Sequence, residues 1–219
     1  MHRMPRIETL PLFPLKLVLF PGEELPLHIF EPRYKAMTNW CLEEEQPFGI
    51  VQFVDGRMAK VGCTAAISKV LQVHNDGRMD IVVEGGDRFR VLKVDKDKPY
   101  LVGHVEPYEM PEAQEAPMNG HVNRLIALHQ RLLERAGRPQ RHLFYEQAQP
   151  LSFALAHNVG LEPSEKQKLL EMPGERERVA FLMEHIEQLL GEIERVEAIR
   201  RKVQSNGHFR DFPPPLPSA

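Results

Sequence analysis

The 219-residue sequence contains no uninterrupted apolar run of about 18 residues, the length that a helix needs to cross a membrane. Its first residues also lack the apolar core and the small-residue cleavage site of a secretory signal peptide. Only two cysteines are present, and neither Cys41 nor Cys63 belongs to a Cys/His cluster with zinc-site spacing. We therefore predict no membrane contact, no metal and no cofactor. We expect reduced thiols in a cytoplasmic protein, with a disulfide as the less favoured alternative.

Motifs for catalysis are missing as well. The sequence has no G-x-x-x-x-G-K-[ST] phosphate loop, no H-E-x-x-H zinc motif and no G-x-S-x-G nucleophile elbow. Cys41 is predicted to lie on an apolar helix face, with no histidine beside it in sequence to activate the thiol. These absences predict a protein that is not an enzyme.

The charges are balanced, with 27% charged residues and a formal net charge of −3. This balance excludes a disordered polyelectrolyte and makes nucleic-acid binding an unfavoured function, because that function requires a basic surface. One local basic patch leaves RNA binding open as an alternative. Its members are Arg131, Arg135, Arg138, Arg141 and His142.

Proline, in contrast, is abundant, since 19 prolines are close to twice the usual frequency of about 5%. Four of them interrupt short apolar runs within residues 7–30, and proline is typical of strand starts, strand edges and bulges. This pattern predicts two short strands over 7–12 and 24–29. Four more prolines lie in residues 207–219, a segment without a core-forming pattern. We expect that segment to be disordered, or to dock on a proline-reading partner as a polyproline II helix.

The rest of the sequence divides into a β-rich half and a helical half. Glu31-Pro32 predicts a helix start, and residues 48–110 have strand patterns throughout, with a hairpin turn at Asn75-Asp76-Gly77. Helical periodicity follows, ending in a long helix over about 175–205. Because strands and helices are segregated, the predicted fold class is α+β. The predicted units are 1–115, 116–206 and the 207–219 tail.

Several segments, in this order, resemble the N-terminal domain of Lon proteases, the LON substrate-binding domain. They are L-P-L-F-P-L-K-L-V-L-F-P-G-E-E-L-P-L-H-I-F-E-P-R-Y (10–34), V-G-C-T-A-A-I (61–67), G-D-R-F-R-V (86–91) and P-S-E-K-Q-K-L-L-E (163–171). The resemblance implies a PUA-like pseudo-barrel of two small β-sheets with one early helix. A helical bundle that ends in a long helix would follow.

In Lon proteases this domain recognises unfolded or tagged protein segments and passes them to an ATPase and a peptidase. This sequence contains neither the phosphate loop of such an ATPase nor a segment that resembles the serine segment of the peptidase. The resemblance therefore implies a free-standing LON-domain protein that binds such segments, as an adaptor or a holdase.

The proline-rich entrance is the first candidate binding site, because an exposed strand edge can accept an extended peptide as an added strand. The candidate residues are Leu12, Phe13, Phe30, Glu31, Arg33 and Tyr34. Two alternatives remain open. The apolar members could fill the core, and Glu31 could cap the following helix and pair with Arg88 or Arg90.

The long helix is the second candidate. Its apolar residues Val179, Leu182, Ile186, Leu189, Ile193 and Val196 are spaced alternately by three and four, as in a heptad seam. We expect the distal residues Val196, Ile199 and Val203 to associate with a second copy of the chain. The alternative is a helix that packs along its own bundle.

Overall fold

The computed structural model describes residues 8–108, 119–139, 145 and 150–206. The β-rich half comprises β1 (Glu8–Leu15), β2 (Glu24–Ile29), α1 (Pro32–Glu43), β3 (Phe48–Val54), β4 (Arg57–Met58), β5 (Val61–Val73), β6 (Met79–Asp95) and β7 (Leu101–Pro107). The helical half comprises α2 (Asn119–Arg135), α3 (Leu151–Ala156), α4 (Pro163–Glu171) and α5 (Glu175–Asn206). The α+β class is confirmed. No helix in these ranges is both long and apolar enough to cross a membrane.

The strands form a barrel that is closed by β1. This strand pairs in parallel with β3 and antiparallel with β7, while β7, β6, β5 and β3 follow one another around the barrel. All seven strands belong to one sheet, where the resemblance implied two small ones. The reason is the length of β5 and β6, which continue beyond the barrel and stay paired with each other along the whole of β5.

The protruding ends of β5 and β6 form a three-stranded layer with β2. Residues 79–84 of β6 lie in its centre, β2 pairs with one side of them, and residues 66–73 of β5 pair with the other. Helix α1 covers one face of the layer, because its apolar stripe of Tyr34, Met37 and Cys41 joins Ile81 and Val83 in a buried cluster. This layer carries the candidate sites.

The helical half packs on the barrel through a shared core. Val18 and Phe20 from the β1–β2 loop and Val61 from β5 belong to the same buried cluster as Phe153 and Leu169. Arg88 on β6 reinforces this contact by donating hydrogen bonds to the carbonyls of Leu170, Met172 and Pro173. The predicted boundary near residue 115, the proline-rich tail, Arg141 and His142 all lie outside the described residues.

Candidate functional site

The predicted binding residues of the proline-rich entrance are divided between the core and the surface. Leu12 and Phe13 are buried, and the Phe13 ring packs against the Tyr34 ring with centroids 4.1 Å apart. Phe30, in contrast, is 59% exposed, and Glu31 and Arg33 lie on the same surface. The structure therefore leaves Phe30, Glu31 and Arg33 accessible, buries Phe13 against Tyr34, and places Leu12 in a separate core cluster with Val51 and Phe89.

The expected pairing of Glu31 with Arg88 or Arg90 is not formed. Glu31 is the N-cap of α1 but makes no side-chain capping bond, and its carboxylate accepts from Arg33 over 2.8 Å. Arg88 turns away towards the helical half, and Arg90 pairs with Glu106. The Arg33 guanidinium also lies 4.5 Å above the Tyr34 ring, whose pKa is raised by burial. At the junction of β2 and α1, Arg33 therefore contacts both Glu31 and the Tyr34 ring.

The clearest open feature of the layer is one edge of β5. The pairing of β5 with β3 ends at Ala65, whereas its pairing with β6 continues to Val73. Within the described ranges, no strand pairs with the other edge of residues 66–73, and nearly all of these residues are exposed. We call this segment the β5 edge. Its free backbone groups can form hydrogen bonds with an added strand.

Apolar side chains continue from the core onto the β5 edge. Ile67, Val70 and Val73 pair with the buried residues Val83, Ile81 and Met79 of β6. Antiparallel partners point to the same face of a sheet, so the three β5 residues extend the buried face of β6 outwards. Val70 and Val73 are nevertheless 43% and 63% exposed. They form an uncovered apolar stripe.

A groove of about 910 Å³ opens beside the start of the β5 edge. Its apolar lining includes Leu42 of α1 with Ala66 and Ile67 of β5, and three acidic side chains line it too, Glu8, Glu45 and Asp87. We call it the β5 groove. Volumes of several hundred Å³ are typical of ligand sites. The groove can hold an apolar side chain, while its carboxylates favour a positively charged ligand.

The termination of α1 places Glu45 at this groove. Glu45 has a left-handed backbone, with φ of 52°, and the next amide, of Gln46, donates to the Cys41 carbonyl over 3.1 Å. This is the Schellman geometry that ends many helices. Cys41 also lines the groove, but burial raises the pKa of its thiol to about 12. The thiol is therefore protonated at neutral pH.

Two features were predicted for the helical half, the distal apolar residues of α5 and the basic patch. Val196, Ile199 and Val203 are 60–65% exposed on α5. In the basic patch, Arg131 pairs with Glu194 and Arg135 pairs with Glu197. These ion pairs reduce the positive potential that RNA binding requires.

Residues 9–188 match the profile of the ATP-dependent protease La (LON) substrate-binding domain. The chain belongs to this family. Among solved structures, the LON-family chain resembles a Lon N-terminal domain protein from Xanthomonas campestris, with 29% identity and a TM-score of 0.63, over 84% of this chain and 98% of the other. It also shares its fold with the N-terminal domain of the Mycobacterium avium complex Lon protease, at 19% identity and a TM-score of 0.68. There the match covers 82% of this chain and 98% of the other.

Curated relatives are longer than this LON-family chain. The Lon protease of Flavobacterium johnsoniae is 23% identical over 90% of this chain, which spans 26% of that protein. Protein cereblon of Xenopus tropicalis is 30% identical over 42% of this chain and 22% of its own length. The chain thus spans about a quarter of the length of these relatives. The similarity concerns a substrate-binding domain, and the sequence prediction of that family is confirmed.

Sequence reasoning missed the β5 edge and the β5 groove of this LON domain. A signal was available in I-S-K-V-L-Q-V (67–73), where apolar residues do not alternate strictly with polar ones. Such a pattern indicates apolar residues on both faces of a strand. It could not show that Val70 and Val73 are left exposed.

Proposed function

We propose that this chain is a noncatalytic recognition module that binds an extended protein segment along the β5 edge. The observation that carries the proposal is the continuity of three features: an unpaired strand edge, an apolar stripe and a groove. An unfolded segment offers free backbone groups and alternate apolar side chains, which is what strand addition uses. Membership of a substrate-binding family supports this function.

The charges of the groove define the preferred segment further. Glu8, Glu45 and Asp87 are its charged lining residues among those described. A segment with a lysine or arginine next to apolar residues matches this lining best. An adaptor or holdase role in the cytoplasm fits such reversible binding, because neither role requires chemistry.

The test is fluorescence anisotropy of a labelled unfolded polypeptide, with a folded protein as control ligand. We expect saturable, micromolar binding that is selective for the unfolded ligand. Replacing Val70 and Val73 with serine should weaken it at least about tenfold, since a residue that packs in the centre of an interface contributes about 1 kcal/mol or more and a tenfold change is about 1.4 kcal/mol. The matched control is Leu92→Ser, which changes a comparably exposed apolar residue on β6, away from the β5 edge. A peptide with lysine flanks should bind more tightly than one with glutamate flanks, by a margin that salt reduces.

Two results would contradict strand addition at the β5 edge. One is the absence of saturable binding at about 100 µM protein, where even weak recognition is detectable. The other is equal weakening by Leu92→Ser and by the double variant, because that would show nonspecific apolar contact.

Self-association through α5 is a second candidate function, and it is independent of the first. Its support is the apolar stripe of Val196, Ile199 and Val203, whose i, i+3, i+7 spacing lies on one helix face. We expect light scattering at about 100 µM to give the mass of a dimer. Replacing the three residues with serine should give the monomer mass, whereas the Val70/Val73 double variant should stay dimeric. A monomer for the unchanged chain would exclude this scaffold role.

A further inference from the structure

Three side chains with metal-ligating atoms meet at the outer end of the three-stranded layer. His28 Nδ1 lies 2.6 Å from Asp80 Oδ1, and His74 Nε2 lies 2.8 Å from Asp80 Oδ2. One ligand atom from each residue lies within 4.8 Å of the others. All three side chains are partly exposed, so an ion can reach them from solvent.

Strand register builds this cluster. His28 on β2 pairs directly with Asp80 on β6, so their side chains point to the same face. His74 follows the end of β5 and closes the hairpin, because its amide and carbonyl bond to Arg78 and Gly77. Three separate segments thus direct polar groups to one point, which a chance contact between neighbours in sequence would not do.

The electrostatics of the cluster suit a cation. An aspartate carboxylate carries a negative charge at neutral pH, and each oxygen of Asp80 faces one of the two imidazoles. An ionised carboxylate can only accept, and both imidazoles therefore donate to it. Each neutral imidazole can move its proton to its other ring nitrogen and present a lone pair instead.

We propose that His28, His74 and Asp80 form a binding site for a divalent transition-metal ion of the zinc class. Two imidazoles and one carboxylate are a donor set for zinc, nickel or copper, whereas magnesium and calcium require oxygen ligands. Zinc ligands lie about 2.0–2.1 Å from the ion, and a tetrahedral site therefore separates its ligand atoms by about 3.3 Å. The His–Asp distances of 2.6 and 2.8 Å would lengthen to this value, and the ligand atoms, which lie within 4.8 Å of one another, would rearrange around the ion.

Binding would have a mechanical effect and a chemical one. The ion would tie β2 to the β5–β6 hairpin and so stiffen the layer that carries the β5 edge. Three protein ligands leave one tetrahedral position for water or for a side chain of a partner. The exposed Phe30 ring is stacked beside the His28 ring, with centroids 6.1 Å apart.

The experiment is a calorimetric titration of the full chain with zinc chloride alone, after removal of chelator. We expect one saturable site for the unchanged chain. His28→Gln and His74→Gln should each weaken it at least about tenfold, because each removes one ligand. His104→Gln is the matched control. His104 lies 2.7 Å from Asp95 with similar exposure, but the other partner of Asp95 is Lys93, whose ammonium cannot bind a metal.

A spectroscopic measurement identifies the ligand atoms. Zinc should shift the side-chain ¹⁵N resonances of His28 Nδ1 and His74 Nε2, and leave those of His104 unchanged. The chain has ten histidines, so adventitious binding elsewhere is the competing outcome. Equal affinity for the unchanged chain and both glutamine variants would overturn the proposal. Unchanged His28 and His74 resonances at about 100 µM zinc would also overturn it. The absence of saturable zinc binding below that concentration would do the same.

Discussion

Replacing Arg88 with alanine is expected to lower the free energy of unfolding by about 3 kcal/mol, since a buried charged hydrogen-bond donor with several partners is lost. The side chain is buried and donates to three carbonyls at and beyond the end of α4. Its guanidinium also lies 5.4 Å from the Phe153 ring. The variant removes these contacts and leaves the carbonyls of Leu170 and Met172 without this donor.

Urea unfolding followed by two probes measures this effect. Trp40 fluorescence reports on α1 and the barrel, and far-ultraviolet circular dichroism reports mainly on the helices. We expect coincident transitions for the unchanged chain and separated ones for Arg88→Ala, because Arg88 joins the two halves. Arg90→Ala is the control: that exposed residue pairs with Glu106 at 3.5 Å and lies 4.8 Å from the Tyr108 ring, so its loss should cost about 1 kcal/mol. Equal losses for the two variants would contradict the role of Arg88.

Replacing Gly85 with alanine is expected to cost about 3 kcal/mol, the upper part of the range for forced overpacking. A Cβ atom at this position would lie near the Phe20 carbonyl oxygen at a distance of only 2.0 Å. Backbone there cannot simply move away, because the Gly22 amide donates to the Gly85 carbonyl over 2.8 Å and the Gly85 amide donates to Glu23. The substitution therefore separates the turn before β2 from β6.

The measurement is the unfolding midpoint in urea, with Gly120→Ala as the matched substitution. No heavy atom lies within 4 Å of the Cβ position at Gly120 on α2, so alanine there should be neutral or slightly stabilising. Similar stability for Gly85→Ala and the unchanged chain would show that the turn before β2 has room to move. Loss of a cooperative transition would agree with the expected clash.

Local patterns predicted the elements well where neighbouring residues decide the structure. Strand β2 and the start of α1 at Pro32 agree with the sequence prediction, since Pro21-Gly22 and Glu31-Pro32 act within a few residues. Strand β1 extends to Leu15, beyond the predicted residue 12. It pairs with β7 over residues 8–12 and with β3 over residues 12–15. Most of β1 therefore pairs on one side at a time, and a proline, which has no N–H to donate, can face the other side.

The candidate sites depend on contacts that local patterns do not contain. Leu12 and Phe30 are both apolar residues beside prolines, yet one is buried and the other exposed, because only barrel closure determines which face is covered. The cluster of His28 with Asp80 requires the β2–β6 register across the intervening helix and three further strands. Residue type and spacing alone cannot supply a register between distant strands.

Barrel closure also sets an order of events during synthesis. Strand β1 is the first to be made, but its longest pairing is with β7, where Glu8 meets Val105. At a synthesis rate of about 5–20 residues per second, β7 is made about 5–20 s after β1. Until then the nascent barrel has an open seam, and its apolar strands are available to chaperones and to other chains. Pairing of such distant segments is intrinsically slow. The closure step therefore governs both the folding rate and the period during which aggregation can occur.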